Sequence, residues 1–362
     1  MKNLMFVCNG LGNGGAERVI SVLSNEMCNK YNIYILTFSK PTKNDYIFNK
    51  DVQIIYKQSK RKGLLRKISK ILDIRKTIKE KRINTVIAFS NYNVMSSVIA
   101  SIFLKVRVIG SERNDPAQIY GMKKYIRNIL YSYTDNMVFQ TNDALNYFNN
   151  KIKKKSVVIL NPLVSNLPEP YDGKRDKKIV TFCRLEPQKN LFMLIDAFYE
   201  FNKSNNTYTV EIYGDGSLKS ELEKYIDEKD LTEKIKILPF NKNIHETILK
   251  YSMFVLTSDY EGLSNSMIEA LAIGLPTIVT DCPCGGGRMV IDNNKNGILI
   301  PVGDSKAFAK AMLRVANDEN FMKELSKNAV KIREKLNQER IADEWLKVIE
   351  MKGDNNGNRK TS

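Results

Sequence analysis

Short, wholly apolar runs alternate with stretches of helical periodicity from one end of the chain to the other. Leu4–Cys8 is the first such run, and Ala16–Cys28 behind it repeats its apolar residues at helical spacing. Further strands are predicted at Tyr31–Phe38, Val52–Tyr56, Thr85–Phe89, Val106–Gly110, Asn136–Gln140 and Val157–Leu160. Between the later ones, helices are predicted at Val94–Leu104, Met122–Tyr133 and Asp143–Asn149. Strands alternating with helices in this way form a mostly parallel, doubly wound α/β sheet.

Asn161–Lys178 interrupts the alternation with three prolines and a charge run, and reads as an interdomain linker. A second series follows. Its strands are predicted at Ile179–Phe182, Tyr208–Tyr213, Ile235–Leu238, Met253–Leu256, Thr277–Val279 and Ile298–Val302. Its helices are predicted at Leu191–Asn202, Leu218–Glu228, Ile244–Tyr251, Ser266–Ile273, Ser305–Asn317, Phe321–Lys335 and Gln338–Met351. Two Rossmann-like halves in tandem imply two sheet edges facing each other across a cleft.

The length agrees with that division. A chain of 362 residues suits two domains of roughly 150–200 residues each. The boundaries read from the sequence are 1–165, joined by the C-terminal helix 338–352, and 166–337; the polar, Gly/Asn-rich end 353–362 is expected to be disordered. No apolar run approaches the ~20 residues needed to span a bilayer, and Met1–Val7 is too short for a signal segment, so a cytoplasmic protein is expected. Cys282-Pro283-Cys284 has the wrong spacing for a zinc knuckle, and the sole histidine, His245, cannot complete a site with the other thiols, so no metal is expected.

The formal charge of +17 is concentrated in Lys57–Arg82, where twelve basic residues stand against Asp73 and Glu80. Leu64, Leu65, Ile68, Ile71, Leu72, Ile74 and Ile78 recur there at helical spacing, which makes the segment a basic amphipathic helix. Either its apolar stripe packs on its own domain with the lysines in water, or the helix is drawn to anionic lipid or a phosphate-bearing acceptor. No aromatic platform or base-reading motif accompanies the charge, so no nucleic-acid partner is expected.

Candidate chemistry gathers after the strands. The stretch Thr257–Thr280 holds two acids eight residues apart, Glu261 and Glu269, separated by the small-residue turn Gly262-Leu263-Ser264-Asn265-Ser266 that opens a helix. Free amides and the helix dipole at such a start favour a phosphate. Arg184 and Lys189 follow the first strand of the second series and suit a diphosphate, or else are surface cations of an ordinary helix start. Gly214-Asp215-Gly216 is either a close approach to a base or ribose, or a plain turn. Glu269 is either a ribose acceptor or a structural carboxylate. Glu112 and Arg113 end a strand of the first series, and Gly10–Gly15 forms a Gly-rich loop between strand and helix. No Walker A sequence, no H-E-x-x-H and no plausible Ser/His/Asp triad occurs.

In order and spacing these motifs resemble those of the retaining glycosyltransferases of family 4. The shared parts are Gly14-Gly15-Ala16-Glu17-Arg18, Ser111-Glu112-Arg113-Asn114, Asn161-Pro162, Arg184-Leu185 with Lys189-Asn190, Gly214-Asp215-Gly216, Glu261 to Glu269 as E-x7-E, Asp281-Cys282-Pro283 and Asn296-Gly297. The resemblance is strongest to bacterial enzymes that extend capsule, exopolysaccharide or lipid-linked glycans. It implies the GT-B fold, with the last helix crossing back to the first domain. The implied reaction is metal-independent, retaining transfer of a hexose or N-acetylhexosamine from a UDP-sugar to a lipid-linked, undecaprenyl-diphosphate glycan on the inner face of the cell membrane. Arg184 and Lys189 would neutralise the donor diphosphate with help from the Gly14-Gly15 loop and the backbone of Leu263, Ser264, Asn265 and Ser266. Glu261 would hold the sugar hydroxyls and Glu269 the ribose. Many relatives carry a His where this chain has Arg113, and Arg cannot act as a base, so Arg113 is expected on the sugar or a phosphate. The loop Gly285-Gly286-Gly287-Arg288 lacks an acid found there in many members, and Arg288 is either a further phosphate contact or structural. Trp345 is expected to pack a domain seam. Two other readings stay open: a UDP-sugar epimerase-like enzyme of this fold, and a basic membrane-binding protein without catalysis.

Overall fold

Every pairing between the named strands is parallel, and the strands fall into two separate sheets. The structure, a computed structural model, describes residues 1–351 apart from 13, 44, 59 and 60. The tail expected to be disordered, 353–362, lies outside the described residues. The chain divides into two compact units, Met1–Pro162 with the chain from Asn337 onward, and Leu163–Leu336.

The first unit holds strands β1 (Lys2–Cys8), β2 (Tyr31–Thr37), β3 (Gln53–Tyr56), β4 (Thr85–Phe89), β5 (Arg107–Ser111), β6 (Asn136–Phe139) and β7 (Ser156–Val158), in spatial order β3-β2-β1-β4-β5-β6-β7. The second holds β8 (Asp176–Phe182), β9 (Thr209–Tyr213), β10 (Ile235–Leu238), β11 (Tyr251–Leu256), β12 (Thr277–Thr280) and β13 (Ile298–Ile300), in order β10-β9-β8-β11-β12-β13. β4 and β11 are buried at every position, which is why both read as unbroken apolar runs. In each sheet the order reverses beside the first strand, between β1 and β4 and between β8 and β11. Doubly wound sheets bind ligands at the carboxyl ends of the strands flanking that point.

Four expectations change. The segment Phe321–Lys335 is two helices, Glu319–Ala329 and Ile332–Lys335, because a turn at Val330 and Lys331 buries Ile332 and Leu336 and swings Arg333 onto the carbonyls of Ala272 and Pro168. Asp143–Asn149 also splits, Asn149 capping a second short helix through Ile152 N. The helix at Ile244 ends at Ile248, since Tyr251 already pairs with Asp176 in the sheet. The expected linker is not loose: Arg175 donates to the carbonyls of Leu249, Tyr251, Tyr171 and Gly274 and fastens that stretch to the second unit.

The last helix, Gln338–Glu350, packs in the first unit beside helix Gly15–Met27. Its Trp345 is fully buried and stacks on Phe89 at 5.7 Å, so it belongs to this unit's core. Arg107 anchors the helix end through the carbonyls of Ile349 (2.5 Å) and Val348 (3.3 Å). The basic segment is helical over Gly63–Glu80, and only Ile74, Thr77 and Ile78 are buried. Leu64, Leu65, Ile68 and Leu72 are exposed, so packing of the apolar stripe on its own domain holds for the second half of the helix alone.

Candidate active site

In the second unit the loops that follow β8 and β11 meet at the switch point. Thr257 Oγ1 donates to the carbonyl of Lys189 (3.0 Å) and Asp259 N to that of Gln188 (2.9 Å). Gln188 Nε2 returns a bond to the Tyr260 carbonyl (2.8 Å), and Asn190 Nδ2 donates to Asp259 Oδ1 (2.7 Å). Asn190 itself sits in the left-handed region, at φ +43°, and caps helix Leu191–Ser204 through Met193 N. This lacing sets Lys189 against Glu261: Lys189 Nζ donates to Glu261 Oε1, which also accepts from Ser258 Oγ at 3.0 Å. Both side chains are largely buried, at 10% and 15% exposed. Burial alone pushes the Lys189 ammonium down, but the Glu261 carboxylate outweighs it and the net shift is upward. Because the folded value is raised, the pair's contribution is fully present below the free-lysine pKa of about 10.4 and is lost only as pH rises through the folded value. Arg184 is exposed, reaches Gln188 Oε1 at 3.4 Å and lies near enough to Lys189 to disfavour its charge.

The turn after Glu261 opens helix Asn265–Ala272, whose N-cap, Ser264, makes no side-chain capping bond; its hydroxyl lies 3.0 Å from that of Ser266. The dipole at this end favours an anion. Leu263 is buried beneath the turn. The loop after β12 backs it: Thr280 Oγ1 and Cys282 Sγ both donate to the Ser258 carbonyl, at 2.6 and 3.2 Å. Gly286 packs so tightly that a Cβ there would overlap the carbonyl oxygen of Gly262. Arg288 pairs with Asp281 at 2.5 Å.

Glu269, inside that helix, is 2% exposed and lies 2.8 Å from His245 Nε2. The His245 ring stands edge-on to Phe182 at the end of β8. In the sequence His245 serves only to exclude metal and triad chemistry; a single residue on a short helix carries no spacing signal toward an acid 24 positions away. Replacing His245 with Ala is expected to lower the melting temperature, measured by thermal unfolding, because a hydrogen bond to a charged group is worth about 1.5–3 kcal/mol. At Gly214-Asp215-Gly216 the glycines serve the fold. A Cβ at Gly214 would overlap the Cys183 carbonyl, one at Gly216 would meet the Leu185 backbone, and Leu185 N donates to the Asp215 carbonyl at 2.9 Å.

In the first unit Gly14 and Gly15 open helix Gly15–Met27, with the Glu17 side chain folded over Gly14 and Arg18 N bonded to the Gly14 carbonyl at 3.1 Å. Arg113 follows β5. It donates to Asn161 Oδ1, which also accepts from Gln140 Nε2 at 2.6 Å, and its guanidinium lies 5.4 Å from the Phe89 ring centre. Burial pushes its pKa down to about 9, offset in part by Glu17, so it stays charged at neutral pH. Glu112 points the other way. Its carboxylate is buried, accepts from Tyr131 Oη at 2.6 Å and is raised by burial, so it belongs to a core network. A small cavity at the ends of β1 and β2 is lined by Asn9, Phe38, Arg66, Lys70 and Asp73, and burial pushes Lys70 down to about 8. Among the described residues no three His, Cys, Asp or Glu side chains converge as metal ligands.

The family model for glycosyl transferases group 1 matches residues 168–332, the span that contains the Lys189, Glu261 and Glu269 constellation. A relative in Campylobacter jejuni subsp. jejuni, GalNAc-alpha-(1->4)-GalNAc-alpha-(1->3)-diNAcBac-PP-undecaprenol alpha-1,4-N-acetyl-D-galactosaminyltransferase, is 29% identical over 359 residues, covering 96% of this chain and 98% of the relative. The chain is a glycosyltransferase with a group 1 domain at residues 168–332. Its extent and motifs are consistent with family 4. The transferase is also similar, at 23% identity over 96% of its length and 100% of the relative's, to the amylovoran biosynthesis glycosyltransferase AmsD of Erwinia amylovora. Among solved structures, Anabaena HepE in complex with UDP and glucose superimposes with a TM-score of 0.84 at 17% identity, covering 97% of the transferase and 100% of that chain, which shows the GT-B fold.

Proposed function

We propose that the transferase moves a hexose or N-acetylhexosamine from a UDP-sugar to a lipid-linked glycan, with retention and without a metal. The observation that carries the reading is the buried Lys189–Glu261 pair beside the turn that opens helix Asn265–Ala272. A cation and a helix N-terminus at one switch point suit the diphosphate of a nucleotide-sugar, and both act most strongly on the charge that develops as it leaves. Arg184 adds a second cation, Glu261 takes the sugar hydroxyls, and Glu269, held by His245, takes the ribose. The turn residues Leu263, Ser264, Asn265 and Ser266 meet the phosphates. Gly214 acts by shaping the loop after β9.

The acceptor reading rests on the undecaprenol-linked substrate named for the Campylobacter relative and on the basic helix Gly63–Glu80 with its exposed apolar start. That helix would hold the transferase on an anionic membrane surface, the inner face of the cell membrane, at about 1 kcal/mol per nearby Lys or Arg. Among the described residues no helix is long and apolar enough to cross a membrane. The test is UDP release on incubation with a panel of UDP-sugars and undecaprenyl-diphosphate saccharides, in the presence of a chelator. The reading predicts release that requires both substrates, survives chelation and gives a product one sugar heavier. Release only with added metal, or conversion of the UDP-sugar to an epimer without acceptor, would overturn it.

A further inference from the structure

We propose that helix Gly121–Tyr131 is a second membrane-docking element, which inserts its outward apolar face into the interfacial zone of an anionic bilayer; this deepens the lipid-linked-acceptor reading above and rests on it. The helix is built inside out. Its charged Arg127 and its Tyr131 are fully buried, Arg127 donating to the Pro116 carbonyl at 2.7 Å and lying 4.8 Å from the Phe148 ring centre. On the other face Met122, Tyr125, Ile126 and Ile129 are 73%, 66%, 47% and 59% exposed. Tyr120 and Tyr133, just beyond its two ends, are 82% and 61% exposed. Residues three and four apart share one side of a helix, so these apolar groups form a stripe facing water, where an ordinary surface helix turns its stripe inward.

Topology brings this stripe to the same edge as the basic helix. Helices Gly63–Glu80 and Gly121–Tyr131 both pack against helix Asn91–Ala100, which lies between them. Each runs back against parallel strands, so the N-terminal halves of all three lie at the sheet's carboxyl edge. The first ten residues of helix Gly63–Glu80 expose Leu64, Leu65, Ile68 and Leu72, with Arg66 and Lys67 among them. No acid occurs in residues 61–72 or 116–133, and the exposed Lys123 borders the second stripe. Singly exposed apolar residues are ordinary, but two helices whose N-terminal halves carry exposed apolar groups on one edge, with no acid in either segment, mark an interaction surface. The chemistry is that of the bilayer interface: aromatic rings at headgroup level, aliphatic side chains below, lysines on anionic phosphates. A second copy of this chain, itself strongly basic, would bring like charges together there.

The test compares the full chain with the charge-neutral double variant Met122→Ser/Ile126→Ser in flotation with phosphatidylcholine vesicles, with and without phosphatidylglycerol. At low salt both bind the anionic vesicles through the basic helix. At about 0.5 M salt, which screens exposed charges, the parent chain stays bound and the double variant loses about tenfold or more in partition. Phe103→Ser removes a still more exposed apolar group, at 88%, but one that follows the C-terminus of helix Asn91–Ala100 and so lies at the opposite edge; it leaves binding unchanged. In Tyr125→Trp the added indole shifts to the blue and is quenched by brominated acyl chains, against the buried Trp345. Equal high-salt binding by the parent and double variant, or indole emission from the substituted position unmoved while the protein is vesicle-bound, would overturn the proposal. So would a dimer in solution that the double variant dissolves. Thermal stabilisation by UDP, measured on the same samples, keeps the two readings apart: a chain that docks by this face without gaining stability from UDP contradicts the donor assignment and upholds the docking.

Discussion

Lys189→Met is expected to lower kcat/KM for the donor by about 10²–10³-fold, since one fixed donor aimed at developing charge is worth roughly that much. It is also expected to destabilise the fold by about 3 kcal/mol, because Glu261 is left largely buried with Ser258 as its remaining partner among the described residues. The two effects separate in the double variant Lys189→Met/Glu261→Gln. Removing both charges should restore much of the melting temperature and none of the activity. The physical distinction is that a broken buried pair is costly while its absence is close to neutral, whereas a leaving diphosphate still lacks the Lys189 cation. Recovery of activity in the double variant would show that Lys189 serves the fold alone. Melting curves and UDP-release rates on the three proteins make the comparison.

Gly286→Val is expected to be nearly as damaging, although residue 286 touches no group with obvious chemistry. Its φ of −58° is open to any residue, so the constraint is one of space: a Cβ would overlap the Gly262 carbonyl, which is backbone and cannot swing aside. Accommodating it moves the turn between Glu261 and Ser264. A shift of about 1 Å in a positioning element costs about 10²-fold in rate, and overpacking costs about 1–3 kcal/mol in stability. The control is Gly303→Ala, where φ is +81° and nothing lies within 4 Å of an added Cβ. It should cost about 1 kcal/mol of stability through backbone strain and leave the donor kcat/KM as it was. Equal activity losses in both variants would point to general destabilisation and away from the turn.

The strands were the most legible part of the chain, for a physical reason. β4 and β11 are buried at every position, which favours apolar residues throughout, so the run stands out without context. Helix ends were less legible. The break at Val330 follows from where Ile332, Arg333 and Leu336 find partners in the folded unit, and no glycine or proline marks it. The apolar period of the basic helix was visible, yet period alone does not tell which part of a stripe is covered, and its first half proves bare. The E-x7-E acids and the two cations stood out because a strand end, a small-residue turn and fixed charges coincide within a few residues. Their supports did not. Asn190 with Asp259, His245 with Glu269 and Gly286 with Gly262 are joined only by the fold, 69, 24 and 24 positions apart. Glu112 shows the converse error: a charged residue at a strand's carboxyl end looked like a ligand contact, and it bonds Tyr131 in the core instead.

The central claim, that the second sheet's switch point is a nucleoside diphosphate site built around Lys189 and the turn after Glu261, is tested most directly by binding. UDP is titrated into the parent chain and into Lys189→Met, and both calorimetric heats and thermal shifts are recorded. The account predicts saturable binding and a concentration-dependent rise in Tm for the parent chain, corresponding to about 2.7 kcal/mol of stabilisation at a hundredfold excess over Kd, with affinity lowered at least about tenfold in the variant. Equal UDP affinity in the two proteins, or none in either, would contradict it.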